Sequence, residues 1–263
     1  MRISVIQMEI EDGDKPKNRD KALSFIEKCS NSDFAVLPEL WSTGLALQNA
    51  AELAEPLTGE TMSLLEEYAA HHDIYILGSI LENDSDTFYN TLHVVGPEGL
   101  VGSYRKIHLF SLMGEPHYLE AGEDYSIFST DLCTISGIIC YDIRFPELSR
   151  TLALQGAQIL FVPAEFPYPR KSHWQILLRA RAIENQFFVV ACNRAGKSEK
   201  YHFCGASAVI DPWGDTLVEA EDSGCIISCD INLKRISECR RNLPALDDIK
   251  LTSFTAAGTL LQL

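Results

Sequence analysis

Hydrophobic and polar positions along the chain alternate between two periods. Apolar runs of strand length, "FAVLPEL" (34–40), "IYILGSI" (74–80), "ILFVPAEF" (159–166) and "FFVVACN" (187–193), are interleaved with "GETMSLLEEYAAHHD" (59–73) and "SHWQILLRARAIENQ" (172–186), where apolar residues recur every three to four positions. The runs predict buried strands and the periodic stretches predict amphipathic helices. Two more stretches are apolar segments joined by turn residues: "NTLHVVGPEGLVGSYRK" (90–106) through Gly-Pro-Glu-Gly, and "GASAVIDPWGDTLVEA" (205–220) through Asp-Pro-Trp-Gly. Proline fixes φ and glycine allows positive φ, so each predicts a hairpin.

These pieces occur twice in one order: strand, helix, strand, hairpin. Two such units bury their sheets by stacking face to face with the helices outside. The expected fold class is therefore α/β, a four-layer α-β-β-α sandwich with an internal pseudo-twofold repeat. The sheets need a shared core, so residues 1–263 are expected to form a single domain. The pseudo-twofold also gathers the C-terminal strand ends of both halves, where ligands of open α/β sheets collect.

Composition narrows the function classes. The chain has 263 residues, 46% of them hydrophobic, with 22 Lys plus Arg against 37 Asp plus Glu and a formal charge of −15. Such a surface repels phosphate backbones and anionic lipid heads, so neither nucleic acid nor membrane is expected as a partner. The opening "MRISVIQMEIEDGDK" carries too short an apolar run for a secretion signal, and no stretch of eighteen consecutive apolar residues follows. A cytoplasmic location is expected. Eight unevenly spaced cysteines then read as reduced thiols rather than a disulfide framework. There is no C-x-x-C and no H-E-x-x-H, and Cys225 and Cys229 lack a second pair, so no metal is expected.

One thiol differs from the rest. Cysteines within apolar runs ordinarily pack as small hydrophobes, but "GIICYDIRFPEL" (137–148) ends its apolar run on Cys140, beside Tyr141, Asp142 and Arg144 and before a Pro-started helix. A strand end is rigid and opens on the rim, which suits a nucleophile. Glu39, just past Pro38 in "VLPEL", and Lys106, closing the first hairpin in "GSYRKIHLF", occupy comparable strand ends. Strand-end charges are usually solvated, but thiol, base and cation together supply the roles that amide hydrolysis needs. His108, His173 and His202 leave a Cys-His hydrolase as the closer rival. "ACNRAGKS" (191–198) nearly spells a phosphate loop, but Ala191 stands where its first glycine belongs and a strand pattern follows where a helix should, so a nucleotide-binding reading is disfavoured.

With "VLPEL", "YRKIHLF" and "GIICYDIRFPEL" in this order, the chain resembles the nitrilase, or carbon-nitrogen hydrolase, superfamily. "HWQILLRARAIENQFFVVACNRAG" and "GASAVIDPWGD" extend the resemblance over nearly the whole chain. It implies the same four-layer fold, a Glu39–Lys106–Cys140 triad, and a second glutamate, Glu115 in "GEPHYLEAG", assisting the lysine. Glu39 would take the thiol proton during attack, Lys106 and a backbone N–H of Phe145 or near Tyr141 would hold the oxyanion, and no cofactor is needed.

"CYDIRFPEL" with "HW...ARAIENQ" is most similar to the branch of ω-amidases and deaminated glutathione amidases. That branch implies a small amide substrate such as 2-oxoglutaramate or 2-oxosuccinamate; deaminated glutathione and N-carbamoyl compounds are the alternatives. Its distal carboxylate needs a cation. In "EFPYPRKSHW" (165–174), Arg170 is preferred to Lys171 because its planar fork matches a carboxylate. Tyr141 and Phe166 are expected to line the same pocket. The family habit of pairing implies a homodimer or larger homo-oligomer, with "RFPELSRTLALQGA" offering an amphipathic helix near Cys140. The closing "NLPALDDIKLTSFTAAGTLLQL" (242–263) lacks the Arg-Pro-rich segment expected of such relatives.

Overall fold

In a computed structural model the structure describes residues 1–250 and the backbone of 255–256 and 259–260; the atypical closing stretch lies largely outside the described residues. The first half runs β1 (Arg2–Gln7), α1 (Lys15–Ile26), β2 (Phe34–Val36), α2 (Ala50–Leu53), α3 (Glu60–His72), β3 (Tyr75–Asp84), β4 (Thr87–Gly96) and β5 (Gly99–Arg105). The second runs β6 (Ile127–Ser129), β7 (Thr134–Gly137), α4 (Pro146–Leu154), β8 (Ile159–Ala164), α5 (Lys171–Asn185), β9 (Phe188–Asn193), β10 (Ala208–Ile210), β11 (Thr216–Glu219), β12 (Cys225–Asp230) and α6 (Lys234–Asn242).

Two six-stranded sheets result, in the orders β12-β1-β2-β3-β4-β5 and β6-β7-β8-β9-β10-β11. Laid side by side they match strand for strand, with β1-β2-β3-β4-β5 corresponding to β7-β8-β9-β10-β11. The outer strand of the second sheet, β6, precedes its unit in the chain. Its counterpart β12 follows the other unit and crosses back to pair antiparallel with β1, Val5 opposite Ile227. This crossing links the two halves, because the first sheet is incomplete without a strand from beyond its own repeat.

Alternation along the strands builds the layers. Ile3 and Val5 of β1 and Phe34 and Val36 of β2 face the inter-sheet core with Ile135, Phe161 and Val190. Ile6 and Ala35, one residue out of phase, pack outward on Ala22 and Ile26 of α1 and Leu65 and Ala69 of α3. Phe34 and Phe161 meet across the sheets with ring centroids 5.4 Å apart. On the other flank Leu148 and Leu152 of α4 and Trp174 and Leu178 of α5 cover the second sheet. The expected α-β-β-α order is therefore the observed one.

One element is longer than the apolar pattern indicates. β3 continues four residues past Ile80, and β4 begins at Thr87, so "NDSDTF" is a hairpin rather than a loop. Its two central residues, Ser85 and Asp86, both have positive φ, 53° and 68°, the conformation of a two-residue hairpin turn that usually recruits Asn or Gly. The chain spells the turn without its usual residues.

Phe161 is fully buried at the contact between the sheets. Phe161→Ala should therefore cost about 3–5 kcal/mol, read as a lowered urea midpoint at unchanged slope; a change within about 0.5 kcal/mol would contradict the shared core.

Candidate active site

Three strand ends converge on one buried cluster. Glu39 lies three residues past β2. Pro38 has no N–H to continue the ladder, though its carbonyl still accepts from Ser79 N–H at 3.3 Å, and Leu40 N–H donates to Ser79 Oγ at 2.9 Å. Leu40 takes φ 42°, which turns the chain out of the sheet directly after the carboxylate. Lys106 follows β5 at once, its N–H donating to Asn90 O at 2.9 Å. Cys140 lies three residues past β7 and opens a short 3-10 turn, Cys140–Arg144. Its φ of 46° is left-handed, a conformation costing a non-glycine residue about 1–2 kcal/mol, so neighbouring contacts must hold it.

Asp142 supplies them. It is fully buried; Oδ2 accepts from Ile139 N–H at 2.9 Å and from Tyr104 Oη at 2.8 Å. Oδ1 accepts from His108 N–H at 3.0 Å and lies 2.8 Å from His108 Nδ1. Tyr104 and His108 each stand two residues from Lys106, and Ile139 adjoins Cys140. One carboxylate thus clamps the cysteine turn to the lysine loop. His108 also stacks on Phe145, ring centroids 3.6 Å apart.

Lys106 Nζ donates to Glu39 Oε1 and to Glu115 Oε1, each at 2.7 Å, and all three side chains are buried. Asn90 Nδ2 also donates to Glu39 Oε1, at 2.8 Å, and the backbone N–H of Glu165 donates to Glu39 Oε2 at 2.8 Å. Phe110 N–H occupies Glu115 Oε2 at 2.7 Å. Burial opposes the Lys106 charge, but Glu115 and Glu39 outweigh it and hold the amine well above the ordinary lysine range. Burial raises the Glu115 carboxyl, with Glu39 adding to the rise and Lys106 opposing it. The Cys140 thiol is held well above its usual range, first by burial and then by the adjacent Glu39 charge, with Lys106 only partly offsetting them. The resting site pairs a neutral thiol with a charged ammonium.

Beside Cys140 lies a small cleft. Tyr141, Phe166 and Arg170, expected there from the sequence, line it together with Phe110, Met113, Arg144, Glu165 and Pro167. Tyr141 stacks on Phe110 at 4.5 Å, Phe166 leans on Trp174 at 5.1 Å, and the Arg170 guanidinium lies 5.4 Å from the Phe110 ring centre. Arg144 sits over Phe166 at 5.3 Å. Among the described residues neither arginine has a carboxylate partner. Lys171 is paired with Asp222 at 2.6 Å instead.

Some expectations need correction. Phe145 N–H cannot serve an oxyanion because it already donates to Asp142 O at 3.0 Å, whereas Tyr141 N–H has no acceptor among the described residues. The Cys-His pairing does not form: the group beside Cys140 is the Glu39 carboxylate, His108 is held by Asp142, and His173 and His202 are exposed. The segment 191–198 leads from β9 into turns and then β10, with Arg194 buried in ion pairs to Asp12 and Glu165. Leu148 and Leu152 of α4 are core residues, leaving only Leu154 of that helix's leucines exposed.

Sequence reasoning did not single out Asn90, Asp142, Arg144 or Glu165 as site residues. A signal existed for two of them: Asn90 is a polar residue within an apolar strand, and Glu165 follows Pro163 in the second repeat much as Glu39 follows Pro38 in the first.

The chain matches the carbon-nitrogen hydrolase family over residues 2–241. It is 44% identical over 251 residues to the 2-oxoglutaramate amidase of Bacillus subtilis (strain 168), covering 94% of this chain and 97% of that one. It is 36% identical over 256 residues to omega-amidase NIT2 of Homo sapiens, covering 92% of each. Among solved structures, XC1258 from Xanthomonas campestris, a CN-hydrolase superfamily protein with an arsenic adduct in its active site, superposes with a TM-score of 0.91 at 30% identity, covering 98% of this chain and 99% of that one. Together with the two paired sheets and the buried Glu-Lys-Cys cluster, these likenesses establish that the chain belongs to the carbon-nitrogen hydrolase family and is an amidase acting on non-peptide carbon–nitrogen bonds.

Proposed function

We propose that the enzyme hydrolyses ω-amides of small dicarboxylic acids, of the 2-oxoglutaramate or 2-oxosuccinamate type, through a thioester on Cys140. The observation that carries this reading is the pair of arginines, Arg144 and Arg170, without carboxylate partners among the described residues, on the cleft that holds the thiol. In a chain of net charge −15, two such guanidiniums mark where a carboxylate binds. The two amidase relatives support the same class.

In the proposed reaction Glu39 accepts the Cys140 proton as sulfur attacks the amide carbon, so the thiolate exists only during attack. Lys106 and Tyr141 N–H bind the developing oxyanion; one such donor is typically worth about 3 kcal/mol. Glu39 returns the proton to nitrogen, the carbon–nitrogen bond breaks and ammonia leaves. Water then gives a proton to Glu39 and its hydroxyl to the thioester carbon, and the sulfur departs and is reprotonated. Glu115 keeps Lys106 charged and directed between the two carboxylates. The chain's own residues provide every proton transfer. A nucleophilic thiol among eight free cysteines suits a reducing, cytoplasmic setting; among the described residues no helix is long and apolar enough to cross a membrane.

Ammonia release from a panel of ω-amides, deaminated glutathione, N-carbamoyl compounds and nitriles tests the substrate class, and a preference for nitriles or carbamoyl compounds would overturn it. Cys140→Ala should release none from any member, whereas wild type trapped during turnover should carry one acyl group on Cys140 by mass spectrometry. An acyl group on another cysteine would remove Cys140 from its role.

Arg170→Ala should raise KM for ω-amides by about tenfold to a hundredfold, the value of a charge-assisted hydrogen bond, while scarcely affecting a neutral amide of similar length. Equal losses on both would take Arg170 out of carboxylate recognition. We also propose a homodimer, formed over the flank where Leu154 of α4 and Ile176 and Ile183 of α5 are exposed. Light scattering at micromolar concentration should give twice the 29.3 kDa chain mass; a monomer would contradict it.

A further inference from the structure

Glu165 is a buried carboxyl that the hydrolytic cycle does not use. It follows β8 directly, is 1% exposed, and lines the cleft with Cys140, Arg144 and Arg170. Its backbone N–H touches Glu39 Oε2 at 2.8 Å, so it stands beside the proton acceptor. Its own oxygens differ. Oε2 accepts from Arg194 Nη1 at 2.7 Å, whereas Oε1 is buried and has no partner among the described residues. An orphaned buried oxygen is costly unless something else completes it, and the wall of a ligand cleft is where that completion is available.

We propose that Glu165 is a specificity-determining residue: its Oε1, carrying the proton of a neutral carboxyl, donates a hydrogen bond to a second oxygen of the substrate, the 2-oxo oxygen beyond the scissile amide. This rests on the ω-amide reading above. Arg194 offers only donors, so the oxygen facing it must accept and the proton of the neutral acid falls to Oε1. The groups around Glu165 come from several elements: Arg194 after β9, Asp12 between β1 and α1, Glu39 after β2, Lys106 and Glu115 beyond Glu39, and Cys140, Arg144 and Arg170 on the cleft. Burial dominates and lifts the carboxyl to about 8, with Arg194 opposing and Glu39 and Asp12 adding to the rise. At neutral pH the group is a donor. Above about 8 it becomes an acceptor only.

The remaining positions on the substrate are assigned by elimination. The scissile oxygen belongs to Lys106 and Tyr141 N–H, the leaving nitrogen to Glu39, and the distal carboxylate to Arg144 and Arg170. A donor between them needs a lone pair on the connecting chain, which a 2-oxo group has. A 2-ammonium has none, and the two arginines repel it. The neutral carboxyl therefore selects the oxo acid amide over the amino acid amide.

The test compares kcat/KM for 2-oxoglutaramate and for glutaramate, which lacks only the 2-oxo oxygen, between about pH 6.5 and about pH 9.5. The wild type should prefer the oxo substrate by about tenfold at neutral pH, the worth of one neutral hydrogen bond, and lose that preference as pH rises through about 8. Glu165→Ala should abolish the preference at every pH. In Glu165→Gln the amide oxygen can face Arg194 and the NH₂ replaces the donor, so the preference should persist and become independent of pH. A preference in the wild type that does not change with pH overturns the proposal without any variant. So does an equal loss on both substrates in Glu165→Ala, or loss of the preference in Glu165→Gln. Wild-type enzyme that releases ammonia from neither substrate overturns the ω-amide reading and this inference with it.

Discussion

The ammonium of Lys106, held between Glu39 and Glu115 with no solvent access, is the constraint around which the site is built. A charge in such a place survives only when paired and fully hydrogen-bonded, and removing one partner of a buried pair costs about 3–5 kcal/mol. The lysine also divides the labour of its two carboxylates. Glu115 is closed off by Phe110 N–H, while Glu39, fixed by Asn90 and by Glu165 N–H, faces the thiol. Those anchors come from β4, from the loop after β5 and from the end of β8 in the opposite sheet. The cluster is therefore a property of the sheet pair, and neither half of the repeat could hold it alone.

The same cluster explains why the thiol rests protonated. A thiol near its ordinary value of about 8.5 would already be a few per cent thiolate at neutral pH, but burial and the Glu39 charge suppress even that. Lys106 is too heavily compensated by two carboxylates to reverse the effect. A protonated resting thiol is also less exposed to oxidation, which proceeds through the thiolate. The positive φ of Cys140, secured by the Asp142 clamp, stores backbone strain at the one residue that must lie on the cleft wall instead of continuing β7.

How much of this was legible in the chain follows from whether a function leaves a local mark. Glu39, Lys106 and Cys140 do, because each is a reactive group set against an apolar strand, and the repeat alone brings their strand ends together. The hairpins at Gly96–Gly99 and Asp211–Gly214 are marked by Pro and Gly. The Ser85–Asp86 turn is not, since neither residue advertises positive φ. Asp142 adjoins a reactive motif, yet its partners Tyr104 and His108 lie over thirty positions away in sequence; such a clamp exists only in three dimensions. Phe145 N–H is a reasonable oxyanion donor on sequence grounds, and only the 3-10 turn commits it to Asp142 O.

A strongly acidic chain with the anionic substrate proposed above is only superficially a contradiction. Charges on the outer surface act through water and salt, which screen them over about 8 Å at physiological ionic strength, so the net charge of −15 weakens long-range attraction without governing contact in the cleft. Within it the balance is different. Arg144 and Arg170 are half-buried against Tyr141, Phe166 and Phe110, where aromatic faces favour the cations and the local dielectric makes each count for more. Glu39 and Glu115 share Lys106, and burial lifts the Glu165 carboxyl to about 8 beside Arg194, so it adds little negative charge at neutral pH, while the two cleft arginines have no carboxylate partner among the described residues. The unanswered charge on the cleft is therefore positive, on a chain whose formal net charge is −15.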